Sequence, residues 1–89
     1  MKNQFKEYLV SKGYKLYTNS GKPSTVYDYI KRIDIVCKWE NITWEELSKN
    51  ITIILNLYEV NGKKQNLGAT SHNAVRCALR CFYNFINSK

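Results

Sequence analysis

The spacing of apolar side chains is what most restricts this chain. Val75, Ala78, Leu79, Phe82, Phe85 and Ile86 recur at intervals of three and four, which places them along one face of an α-helix. The same spacing returns in Val26, Tyr29, Ile30, Ile33, Val36 and Cys37, and more briefly in Phe5, Tyr8 and Leu9. A helix with one apolar stripe must bury it against another element. The expected fold is therefore all-α, a small orthogonal bundle of four to five helices. With 89 residues the chain is one domain, able to bury roughly 60–65% of its unfolded surface.

Local signals set the expected boundaries. A first helix spans Asn3 to Lys12, with Gly13 behind it as a left-handed cap. Asn, Ser, Gly and Pro cluster in 14–23, which reads as a loop. The second helix starts at Ser24 or Thr25, whose hydroxyls can accept from a first-turn N–H, and closes near Trp39. Thr43 and Glu46 form a capping box that opens a short third helix. Asn50 is the expected cap of the next, with Ile51, Ile54, Leu55 and Tyr58 as its stripe. The β-branched residues Ile51 to Ile54 also suit a strand, but the flanking 3.6-residue period favours helix. Gly62 to Thr70 reads as a loop, and the last helix runs from about Ser71 to Asn87.

Composition excludes several classes. Hydrophobic residues at 44% and charged residues at 24% are those of a globular domain, not a disordered tail. The longest apolar run is Ile53-Ile54-Leu55, too short to span a membrane. Three cysteines without a Cys-x-x-Cys suggest free thiols in a reducing cytoplasm. The net charge is +7, and a basic small domain commonly meets a polyanion. AT-rich codons supply part of this: Lys, Asn, Ile and Tyr are 36 of the 89 residues. The distribution is more telling. Residues 1–38 carry +5, residues 39–60 carry −3, and residues 61–89 carry +5.

Catalytic and metal chemistry find little to build on. Cys77 and Cys81, four apart on the last helix, could join Cys37 and His72 around zinc. Structural zinc sites place their cysteines in tighter loops, and free cysteines usually pack as small apolar residues, so no metal is expected. His72 has no carboxylate near it in sequence. The glycines at 13, 21, 62 and 68 are isolated, and Glu45 and Glu46 are explained by capping. No nucleophile, base and oxyanion donors assemble, so neither an enzyme, a cofactor nor a small-molecule substrate is expected.

The basic helix faces carry more. Helix starts at Ser24-Thr25 and Ser71-His72-Asn73 would direct N–H groups toward phosphate oxygens. Lys22 precedes the first of them, and Lys31 and Arg32 follow it. Arg76 and Arg80 follow the second, one turn apart, and are two of only three arginines. A guanidinium fork suits phosphate or a guanine edge. The expected DNA-binding set is Lys22, Ser24, Thr25, Lys31, Arg32, His72, Asn73, Arg76 and Arg80. The plain alternative is a solvated face.

The order of these signals resembles the N-terminal core-binding (SAM-like) domain of the tyrosine recombinases, the phage-integrase family. Phe5-x-x-Tyr8-Leu9 is similar to its opening helix, and Ser24-Thr25-Val26-x-x-Tyr29-Ile30-x-x-Ile33 to its next. Thr43-Trp44-Glu45-Glu46-Leu47 stands where the family has a short acidic helix start. Ala78-Leu79-Arg80-Cys81-Phe82-Tyr83-Asn84-Phe85-Ile86 resembles its closing segment. Where the family has Thr-Ile early in the last helix, this chain has Ala74-Val75.

The resemblance covers about residues 4–87. It implies half of a clamp around double-stranded DNA, with the second and last helices toward the major groove. It also implies other recombinase subunits as partners, in bacterial or phage DNA integration and recombination. The family's catalytic domain, with its His-x-x-Arg box and nucleophilic Tyr, has no counterpart in residues 1–89. The expectation is a fragment of a longer recombinase, or one domain of it expressed alone. Two other functions fit the same features: a helical protein-interaction module, and a small stand-alone DNA-binding regulator.

Overall fold

A computed structural model of the chain describes residues 1–68 and 70–88, and for 68 and 70–74 the backbone only. Six helices follow one another among the described residues: α1 (Lys2–Ser11), α2 (Thr25–Glu40), α3 (Trp44–Lys49), α4 (Ile51–Tyr58), α5 (Gln65–Gly68) and α6 (Thr70–Asn87). The fold is the small all-α bundle that the apolar spacing predicts. The segment from Ile51 is helical, so the period of its flanks outweighs its β-branched content. No described helix is long and apolar enough to cross a membrane.

The chain's own chemistry ends these helices. After α1, Gly13 takes φ +94°, and Tyr14 N–H reaches back to the Leu9 carbonyl while Gly13 N–H reaches Val10. This is a Schellman turn, and glycine pays no Cβ penalty in it. Asn41 does the same after α2 at φ +56°, with Ile42 N–H on the Cys37 carbonyl. At α3 the capping box forms as expected: Thr43 Oγ1 accepts from Glu46 N–H and Glu46 Oε1 from Thr43 N–H, both at 3.1 Å.

Three local expectations need correction. Ser24 is the N-cap residue of α2, but its side chain makes no capping bond. The loop from 14 to 23 folds back instead and meets the helix start with carbonyls: Leu16 O accepts from Ser24 N–H and Lys15 O from Val26 N–H. Asn50 precedes α4 without capping it; its side-chain amide donates to the Glu46 carbonyl and closes α3. The 62–70 stretch is not all loop, because Gln65–Gly68 makes one helical turn. Gly62 fits tightly against the end of α4, where a Cβ would collide with the carbonyl oxygens of Asn56 and Leu57.

The core gathers on α6, which packs against α1, α2, α3, α4 and α5. Phe5 of α1 is fully buried between Phe82, with ring centroids 5.2 Å apart and nearly perpendicular, and Phe85 at 5.4 Å. Trp44 of α3 closes the cluster edge-on to Phe82 at 5.5 Å. Its indole Nε1 donates to Asp34 Oδ1 at 2.7 Å, and Asp34 also pairs with Lys2 at 3.2 Å. One carboxylate on α2 thereby ties α1 and α3 around the aromatic cluster. Truncating Phe5 to alanine removes the ring on which α1 is seated. The expected loss is about 3–5 kcal/mol, read as a lower urea midpoint in circular dichroism.

Candidate nucleic-acid interface

The structure divides the nine residues expected to bind DNA among several environments. Arg76 is buried, only 9% exposed. Its Nε donates to the Tyr58 carbonyl and its Nη2 to the Gln65 carbonyl, each at 3.0 Å, with Glu59 at 3.5 Å. The Tyr58 carbonyl lies in the last turn of α4, where helix carbonyls lack an intrahelical partner. A forked donor on α6 satisfies it and holds α5 in the same grip. Arg76 is therefore a fastening between α4, α5 and α6, not a residue offered to DNA.

Arg80 is half exposed but engaged. Its Nε and Nη2 grip the two oxygens of Glu59 at 2.7 and 2.6 Å. That pair, with Arg76 behind it, holds the Glu59 carboxyl below its usual value. Arg32 is half-buried on α2, and its Nε has no hydrogen-bond partner. Lys31, its neighbour, opens into a cleft on another side of the helix. Of these four, Arg76 is buried and Arg80 is held by Glu59, which leaves Lys31 and Arg32 of α2 without an ion pair. Thr25 and Ser24 are half-buried at the helix start that the loop carbonyls cover, and Lys22 is exposed on that loop. The side chains of His72 and Asn73 lie outside the described residues.

A second ionic cluster backs Arg76. Tyr58 is fully buried under the ring of Trp39, stacked at 6.1 Å. Its hydroxyl donates to Glu40 Oε2 at 2.8 Å, and the ammonium of Lys64 bonds the same oxygen. Burial pushes the Tyr58 phenol up strongly, and the Glu40 charge adds to it. For Glu40, burial works upward, but the bonds from Lys64 and Tyr58 outweigh it and hold the carboxyl below its usual value.

The cysteines are packing residues. The buried Cys37 thiol is pushed up to about 11, by burial first and then by Asp34. Cys81 is likewise raised, chiefly by burial, with its sulfur 3.8 Å from the Tyr14 hydroxyl. Among the described residues no three His, Cys, Asp or Glu side chains group as metal ligands.

Among the described residues Lys6, Lys12, Lys15, Lys22, Lys31, Arg32, Lys38, Lys49 and Lys63 enter no ion pair. Two of them, Lys6 of α1 and Lys31 of α2, stand at a pair of tyrosines, and Lys15 and Lys22 lie on the 14–23 loop that carries one of the two. The loop closes on itself through a bridge between Tyr17 and Pro23 and sets Tyr17 against Tyr27 of α2, with rings 5.6 Å apart and hydroxyls 3.4 Å apart. Lys6 stands 5.5 Å over the Tyr27 ring. The Tyr27 phenol is lowered, by its hydrogen bond with Tyr17 first and then by Lys6. Beside this pair opens a cleft of about 550 Å³, lined by Tyr17, Pro23, Tyr27, Asp28, Ile30, Lys31 and Asp34.

Of this group, Lys6, Lys15, Tyr17 and Tyr27 are not in the set expected from sequence. For Lys15 and Tyr17 the alternation Tyr14-Lys15-Leu16-Tyr17 is a local signal; Lys6 and Tyr27 have none of that kind. No known protein family matches the chain, and no curated protein or solved structure is similar to it.

Two outcomes separate the fastening residues from the surface. Arg76→Ala leaves two inward carbonyls without a donor and should cost about 3 kcal/mol of unfolding free energy. Arg80→Ala, at a half-exposed pair, should cost about 1 kcal/mol or less; urea denaturation of both variants measures the difference. Acid has a defined sign. The lowered Glu40 and Glu59 carboxyls contribute stability that is present above the ordinary carboxyl value of 4.5 and is lost as pH falls through their folded values. Glu40→Gln should be less stable at neutral pH, yet lose less on acidification than the parent.

Proposed function

We propose that this chain binds double-stranded DNA as the core-binding domain of a site-specific tyrosine recombinase, supporting DNA integration or recombination. The observation that carries the reading is a group of lysines without an ion pair beside Tyr17 and Tyr27: Lys6 over the Tyr27 ring, Lys31 at the cleft, and Lys15 and Lys22 on the loop that carries Tyr17. Two of these six residues, Tyr27 and Lys31, lie in the first two turns of α2, the helix that the family resemblance turns toward the major groove. Phosphate neutralisation supplies most of the affinity in such a surface. Catalysis belongs to a separate domain in that family, so this domain acts as the grip. Exposed apolar side chains at Trp39, Ile53, Val60 and Leu67 favour a second contact, with other recombinase subunits.

The test is a titration of labelled duplex at about 50 and 200 mM salt. Four neutralised phosphates give a slope of log affinity on log salt near −4, at about 0.9 per phosphate. Replacing Lys22 and Lys31 by alanine should bring it to about −2, for all duplex sequences alike. A slope near zero for the parent chain ends the proposal.

A further inference from the structure

The lysines account for a contact with phosphates, but not for the cleft they surround. A rim for a duplex backbone needs no apolar walls, and carboxylates beneath it oppose a phosphate. Here Tyr17, Pro23, Tyr27 and Ile30 line the cleft together with Asp28 and Asp34. Tyr17 is 53% exposed, a large ring held at the surface by its bond to Tyr27 and by the loop bridge. At about 550 Å³ the cleft is of the size that holds small ligands.

The polar groups divide by charge in a useful way. Lys31 stands at the cleft, and Lys22 is next to Pro23 on its loop wall. Asp34 is fixed from outside by Trp44 and Lys2, and a carboxylate so held keeps lone pairs for another donor. Asp28 is exposed six residues earlier on the same helix, with no ion pair among the described residues. Carboxylates accept from the exocyclic amino group of cytosine. Tyrosine rings stack on bases once these leave the helix.

We propose that this cleft takes one unpaired, amino-bearing base of DNA, stacked on Tyr17, its amino group toward Asp28 or Asp34 and its phosphate on Lys31. The inference rests on the DNA-binding reading of this flank and adds to it a preference for a locally unpaired site. Base–aromatic stacking sets the size of the preference, on the order of five-fold or more per base.

Three labelled duplexes test it by anisotropy: fully paired, with one unpaired cytosine, and with one unpaired thymine at the same place. The cytosine duplex should bind at least about five-fold tighter than the paired one, with the thymine duplex between them. Tyr17→Ala should abolish the preference, whereas Tyr17→Phe, which keeps the ring, should retain it. Equal binding of paired and cytosine duplexes overturns the inference and leaves the duplex reading intact. So does a preference that survives Tyr17→Ala, or a thymine bound as well as cytosine. Failure to bind any of the three takes down both.

Discussion

The guanidinium of Arg76 is the point on which the second half of the molecule depends. Three segments meet there: the last turn of α4, the single turn of α5 and the first half of α6. None of them could close alone. Eight-residue α4 ends on a Tyr58 carbonyl that has no partner within the helix, and four-residue α5 is too short to hold itself in water. One planar group with five donors serves two carbonyls and a carboxylate at once. The Glu40–Tyr58–Lys64 cluster then repeats the device on the other side of Tyr58, so that a buried tyrosine is held at its backbone and at its hydroxyl. A lysine in place of Arg76 carries the charge but not the fork.

The helices were legible because their signals are local. The stripe Val75 to Phe85 is almost wholly buried, the capping box at Thr43 forms, and Gly13 adopts the left-handed turn its position suggests. The start of α2 was legible as a position but not as a mechanism, since the carbonyls that meet it come from a loop about ten residues back in sequence. The turn at Gln65–Gly68 was not legible: it holds one apolar residue, Leu67, and owes its shape to Arg76 and Gly62.

The site was misread at Arg76 for a related reason. A helix surrounded by five neighbours is buried over a wide arc, and Arg76 lies within that arc beside Val75 and Leu79. Polarity on a wheel indicates exposure only when the buried arc is narrow. The tyrosines of the lysine flank were legible as residues but not as a pair. Tyr17 and Tyr27 are ten apart, and only the fold of the 14–23 loop brings their hydroxyls together.

The uneven charge along the chain has a physical meaning different from the one its sequence suggests. The acidic middle folds onto the basic C-terminal third. Glu40 takes Lys64, and Glu59 takes Arg76 and Arg80, so three of the five bases beyond residue 60 are paired where they stand, with two carboxylates balancing two of their three charges. Among the described residues of the N-terminal third only Asp34 is committed in this way, to Lys2. Most of the unpaired positive charge among the described residues therefore lies in the N-terminal third, on Lys6, Lys12, Lys15, Lys22, Lys31, Arg32 and Lys38, with Lys49 and Lys63 beyond it. Exposed charges act through a screening length of about 8 Å at physiological salt, so the spatial remainder matters more than the net +7. Two of the three arginines, Arg76 and Arg80, whose geometry best suits a directed bond, are spent on holding the fold. The lysines, which act as mobile point charges, are left at the surface. Such a surface offers point charges without the directed geometry by which a guanidinium fork meets a phosphate or a base edge.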